Sequence, residues 1–302
     1  MNNKRRLFST LLCVAALTAG LFVSGCGSDK AGGIGSVVSS VVDGGSDEKA
    51  AAKLNTLIDA TNNFNGDNAT WGQNYADSLA KLKGGFQEGA IGRQPHYDTL
   101  KDALEKSKKE GSTFKEVDTE RDNVLNVLNE LVPTFKDLKA YDDSKAYMND
   151  GGAKGKELAA KYVAQVEKFD AAYAKFNDAL NKANTEQTKK QIEKLKKDGK
   201  KGYAAAMEST LRLTNLVENV EKAPKNADKQ AVEKELNEIQ TLLKSINNDR
   251  GEVLVNSYNS VVGSVRQVLN DANENNLNDM IENFNNYIES YNNTTPDQFD
   301  SK

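Results

Sequence analysis

Seven apolar side chains in the middle of the chain, Leu158, Tyr162, Val166, Phe169, Tyr173, Phe176 and Leu180, stand 4, 4, 3, 4, 3 and 4 residues apart. A strand sends alternate side chains to opposite faces, so it would scatter this set. An α-helix gathers all seven into one stripe. Continued from Ala153 to Lys197, such a helix is roughly 68 Å long at about 1.5 Å per residue. One stripe of that length needs partner helices along it, which points to an elongated body made of helices.

The partners are legible on both sides. Val117, Val124, Leu131 and Leu138 repeat every seven residues, with Leu128 and Phe135 in the second register, the seam of a coiled-coil-like helix. Pro133 lies inside that seam and predicts a kink or interruption, because it has no N–H for the residue four back. Gly151-Gly152 predicts its end. Upstream, folded structure is expected from Glu48. Leu54, Leu57 and Ile58 share a face, and the Asn62–Asn68 cluster with Gly66 predicts a stop. A second short helix is expected over Trp71, Tyr75, Leu79 and Leu82, stopped by Gly84-Gly85. After a loop over 84–94, Pro95 opens a helix to about Lys109 on Tyr97, Leu100 and Leu104.

Downstream, Gly199 and Gly202 predict a bend or break, and Met207, Leu211, Leu213, Leu216, Val217 and Val220 resume the pattern up to Pro224. Asp228 is placed to cap a helix on Val232, Leu236, Ile239, Leu243 and Ile246. Asn247-Asn248-Asp249 and Gly251 punctuate it. Leu254, Tyr258, Val261, Val265, Val268 and Leu269 mark the next helix, and Leu277, Met280, Ile281, Phe284, Tyr287, Ile288 and Tyr291 the last. No alternating strand with hairpin chemistry competes. The expectation is an all-α fold, an elongated antiparallel helical bundle over 48–295, followed by a disordered tail at 296–302.

The N-terminus reads differently. Lys4, Arg5 and Arg6 precede an apolar run from Leu7 to Val23, and no acid occurs before Asp29. A basic start, a short apolar core and small residues at its end form the secretory pattern. About 17 residues is at the lower limit for crossing a bilayer. The segment ends in Val23-Ser24-Gly25-Cys26, which resembles the bacterial lipobox. That resemblance implies cleavage after residue 25 and a diacylglycerol thioether on Cys26. Two or three acyl chains on one residue exceed the single-chain case that holds a membrane only marginally. Gly27, where an aspartate would suggest retention in an inner membrane, leaves outer-membrane delivery open. Residues 26–47, with six glycines among serines, are expected to be a disordered, flexible tether reaching roughly 25 Å.

Composition sets exclusions. Loss of residues 1–25 removes three basic groups and no acid, moving the formal charge from −4 to −7. Such a body has no global basic excess for nucleic acid, so no nucleic-acid partner is expected. Cys13 leaves with the signal and Cys26 carries lipid, so no disulfide is expected, and a body of this length can bury a core without one.

Tyr141-Asp142-Asp143-Ser144-Lys145-Ala146-Tyr147-Met148-Asn149-Asp150, then Ala153-Lys154-Gly155-Lys156-Glu157-Leu158, then Phe169-Asp170-Ala171-Ala172-Tyr173-Ala174-Lys175-Phe176, together with Lys53-Leu54-Asn55, resemble the YiiG-like family of bacterial lipoproteins over about residues 50–220. The resemblance implies an all-helical envelope lipoprotein and carries no established activity. Asn149-Asp150 stands where two aspartates are usual, and the Asn-rich stretch after residue 225 has no counterpart.

No catalytic, cofactor or metal residues are expected. Gly155-Lys156 lacks the glycine five residues earlier, the following Ser or Thr and the preceding strand of a phosphate-binding loop. His96 is the single histidine, too few for a zinc site or a triad, and reads as a surface or capping residue. Asp142, Asp143, Asn149 and Asp150 lack the spaced loop and closing glutamate of a calcium site. Tyr162, Phe169, Tyr173 and Phe176 read first as core and second as the lining of an apolar ligand pocket. The lysines at 189, 190, 194, 196, 197, 200 and 201 form a basic cluster, read as a solvated helix tip. The function expected is therefore non-catalytic: an exported lipoprotein, anchored to the cell membrane or outer membrane, serving as a helical spacer or docking module for an envelope protein. The alternative is a protein holding a small molecule, lipid or glycan between its helices.

Overall fold

The structure, a computed structural model, describes residues 47–92, 94–111 and 114–301. The expected signal segment 1–25, the expected lipid site Cys26 and residues 27–46 of the expected tether lie outside the described residues. Among the described residues there is no strand. Ten helices follow one another: α1 (Asp47–Lys83), α2 (Tyr97–Lys109), α3 (Lys115–Asp143), α4 (Tyr147–Asp150), α5 (Ala153–Lys197), α6 (Lys201–Lys222), α7 (Lys229–Lys244), α8 (Asp249–Asn270), α9 (Glu274–Asn292) and α10 (Pro296–Phe299). The all-α class is the one the spacing predicts. The span read as one bundle resolves into two compact units, whose boundary falls inside α5 between Ala183 and Asn184.

The first unit, residues 53–183, has a core drawn from four helices. All seven stripe residues of α5 are buried in it, as are Val117, Val124, Leu128, Leu131 and Leu138 of α3, and Leu100 and Leu104 of α2. Two predicted stops are overridden. α1 runs through Asn62–Asn68, because Phe64 and Asn65 are both buried there. Burying Phe64 contributes about 1.5–3 kcal/mol, comparable with the summed helix penalty of about 3 kcal/mol for the four asparagines and Gly66. Asn65 also accepts a hydrogen bond from the Tyr173 hydroxyl at 2.9 Å, which removes the cost of burying its amide oxygen. α3 likewise passes Pro133 unbroken, with Leu131 and Leu138 buried on either side of it.

The turn between α3 and α5 obeys the glycine prediction. Gly151 and Gly152 adopt φ of 63° and 83°, the left-handed region that side chains disfavour.

The second unit covers residues 184–302 and is built on α6, α7, α8 and α9, which pack on one another. Asp228 caps α7 as expected, accepting from the N–H groups of Gln230 and Ala231 at 2.9 and 3.1 Å. Asn248 and Asn273 cap α8 and α9 in the same way. Gly251 does not break the chain. It lies in the first turn of α8, where a Cβ would collide with the Ile246 carbonyl. The expected disordered tail is also corrected. Pro296–Phe299 form α10, and Phe299 is buried because Tyr203 and Tyr291 offer its ring an apolar seat.

Candidate functional site: a tyrosine cluster under a surface strap

Several buried polar side chains of the first unit bond one another beneath the connection from α1 to α2. Residues 84–96 form a strap that turns on Gly85 and Gly89, at φ 103° and 67°. Ser78 on α1 pins it. The Ser78 hydroxyl donates to the Ala90 carbonyl at 2.7 Å and accepts from the Gly92 N–H at 2.9 Å. Gly92 packs closely at that point, since a Cβ there would sit 3.1 Å from the Ser78 Cβ. The strap then brings Gln94 over the core, where its Oε1 accepts from the Tyr162 hydroxyl.

Below Gln94, the hydroxyls of Tyr75 and Tyr97 hydrogen-bond each other at 2.8 Å. Aromatic rings surround them. Tyr97 meets Phe169 edge-on with centroids 4.9 Å apart, Phe64 meets Phe169 at 5.7 Å and Tyr173 at 5.4 Å, and Phe169 stacks on Tyr173 at 5.2 Å. Each contact adds about 0.5–1.5 kcal/mol beyond simple burial. Burial pushes the hydroxyls of Tyr75, Tyr97 and Tyr162 well above the ordinary phenol range. At neutral pH they therefore act as hydrogen-bonding groups that keep their protons.

Asp170 is half-buried at the edge of this layer. Burial raises its carboxyl to about 6, the nearby Lys83 ammonium pulls it back in part, and Glu167 adds to the rise. The charge of Asp170 in turn raises the three tyrosines. Gln165, one helical turn along α5 from Tyr162, is only 4% exposed, and neither atom of its carboxamide has a hydrogen-bond partner. A buried amide left unpaired costs about 1–3 kcal/mol.

The residues singled out from the sequence fall into distinct roles. Tyr162, Phe169 and Tyr173 join the cluster, and Phe176 extends it one turn further, 6.4 Å from Tyr173. Tyr75, Tyr97, Gln94 and Asp170 were not foreseen, because they belong to separate elements and carry no shared spacing. Gly155 is a packing glycine. A Cβ there would stand 2.5 Å from the Phe86 ring and 2.6 Å from Tyr141. Asp150 accepts from the Tyr141 hydroxyl at 2.5 Å and from the N–H groups of Gly152 and Lys154 at 2.9 and 3.1 Å, bonds that hold its carboxyl below the usual range. Asp143 pairs with Lys139. These acids thus organise the α3–α5 turn.

His96 stands at the N-cap of α2 without a side-chain cap bond. Among the described residues, no group of three or more His, Cys, Asp or Glu is placed to hold a metal ion, and no helix is long and apolar enough to cross a membrane. Within the basic cluster, Lys196 pairs with Glu208 at 2.8 Å and Lys200 with Asp297 at 3.3 Å, while Lys189, Lys190, Lys197 and Lys201 are exposed.

Residues 48–286 match a family model described as a protein of unknown function (DUF3829). No curated protein and no solved structure matches the chain.

Proposed function

The chain belongs to the DUF3829 family, and we propose that it is an exported, lipid-anchored protein of the bacterial cell envelope whose helices act as a spacer or docking surface without catalysis. We place it, within the family, among the YiiG-like lipoproteins that its Tyr141–Asp150 and Phe169–Phe176 stretches resemble. The observation that carries the proposal is Val23-Ser24-Gly25-Cys26 at the end of a basic and apolar leader. The interior supports the non-catalytic half. Tyr75 with Tyr97, Tyr162 with Gln94 and Tyr173 with Asn65 are bonded to one another, an arrangement that holds helices together.

The test is acyl labelling in cells. The wild-type chain is expected to take up a fatty-acid analogue and to fractionate with membranes, and Cys26→Ser to lose both. Label retained by Cys26→Ser, or a wild-type chain recovered without lipid, would overturn the anchor.

Gln165 favours a second reading, a small molecule held between the helices. Its carboxamide, buried and unpaired, is a group that a guest with one donor and one acceptor would satisfy. Native mass spectrometry of protein purified from its own host tests this. A retained mass that Gln165→Leu abolishes would support it, and a bare polypeptide mass would count against it.

A further inference from the structure

The end of the chain sits in the second unit as a ligand sits in a site. Within 296–301 only Phe299 is buried, at 2% exposure, and its ring stacks on Tyr203 and on Tyr291 with centroids 5.8 and 6.0 Å away. Asp300 follows it. One of its carboxylate oxygens lies 2.6 Å from the N–H of Gly202 and the other 3.4 Å from that of Tyr203. These are first-turn amides of the 22-residue α6, at its positive end.

Asn248 works on both sides of the seat. Its Oδ1 accepts from Arg250 and Gly251 and caps α8, while its Nδ2 reaches the carbonyls of Gln298, Phe299 and Ser301 at 3.1, 3.1 and 3.0 Å. Gly202 leaves the path clear, since a Cβ on it would collide with the Phe299 carbonyl. The body therefore recognises one ring, one carboxylate and three main-chain carbonyls. Any peptide with an aromatic residue followed directly by an acid supplies all of these.

We propose that this cradle, formed by Gly202, Tyr203, Asn248 and Tyr291, is a peptide-recognition site for an aromatic–acid pair on a partner protein, with the chain's own Phe299-Asp300 as its resident, displaceable occupant. The resident segment keeps the apolar seat covered until a partner competes for it. A tethered occupant acts at a local concentration in the millimolar range, so it sets a threshold that only an abundant or tighter partner passes. The inference gives the docking reading above a location and rests on it. It is independent of the lipid anchor, so its failure would leave docking through another face intact.

The experiment is anisotropy of a fluorescent peptide covering residues 294–302, titrated with the full chain. Phe299→Ala/Asp300→Ala, which vacates the cradle, is expected to bind it about tenfold or more tightly than wild type, whose resident segment competes. Adding Gly202→Ala to that variant, or replacing Phe or Asp in the peptide, should abolish binding. A vacated variant with native helix content that ignores the peptide would overturn the proposal. Amide exchange on the wild-type chain decides independently of that variant's folding. Gly202 and Tyr203 should open about a hundredfold or more faster than Leu213 and Val217 of the same helix. Equal protection would mean that the segment does not leave its seat, and would overturn displacement.

Discussion

Replacing Asp170 by asparagine should stabilise the first unit at neutral pH and leave it unchanged in acid. Burial raises this carboxyl from 3.8 to about 6 in the folded chain. The folded state therefore holds the proton more tightly than the unfolded one. As pH rises from about 4 through 6, the unfolded chain releases that proton first, and stability falls across the window. Taken at full value, the shift corresponds to about 3 kcal/mol at about 1.4 kcal/mol per unit. Because Asp170 is only half-buried, solvent screening reduces this to about 1–2 kcal/mol. Asparagine keeps the shape and cannot ionise.

The assay is urea unfolding followed through Trp71, the single tryptophan, which belongs to α1. With a slope of about 2 kcal/mol per molar urea, the variant midpoint should lie about 0.5–1 M above wild type at pH 7.5 and coincide with it near pH 4. Other carboxyls titrate oppositely, Asp122 and Asp150 among them, but they cancel in the difference between the two proteins. Equal midpoint shifts at both pH values would refute the reasoning. So would a loss of stability at pH 7.5, which would mean that the carboxylate makes favourable contacts there.

Three further changes test the packing. Gln165→Leu removes an unpaired buried amide and should raise stability by about 1–2 kcal/mol in the same urea assay; a loss of more than about 1 kcal/mol would indicate a bound partner at that amide. Gly155→Ala sets a methyl against Phe86 and Tyr141 and should lower stability by about 1–3 kcal/mol despite alanine's better helix propensity; thermal melting with no loss would show that the two rings yield freely. Asp228→Ala deletes the cap of α7 and should cost about 1 kcal/mol, read as faster amide exchange in its first turn; unchanged exchange there would contradict the assigned cap.

Much of the architecture can be derived from spacing. The seven-residue stripe of α5 and the heptads of α3 are buried as their periods require, because helical geometry alone decides which side chains share a face. The cap at Asp228 and the glycine turn at 151–152 are equally local, each settled by one side chain's chemistry or by its absence. The same local reasoning fails at Asn62–Asn68, Pro133 and the C-terminus. At Asn62–Asn68 and the C-terminus a weak local preference is set against side-chain burial whose partners lie far along the chain, and at Pro133 a strong one yields to a helix buried on both sides of it. Phe64 and Asn65 meet Phe169 and Tyr173 about a hundred residues away, and Phe299 finds Tyr203.

The candidate sites show the same division. Tyr162, Phe169 and Tyr173 are visible as a stripe, but nothing in one dimension joins them to Tyr75, Tyr97 and Gln94, which meet only when the strap closes over α1. Order along the chain determines most of the helices and their caps. Which buried polar groups find partners is decided by three-dimensional packing, since a hydrogen bond depends on distances that local periodicity does not encode.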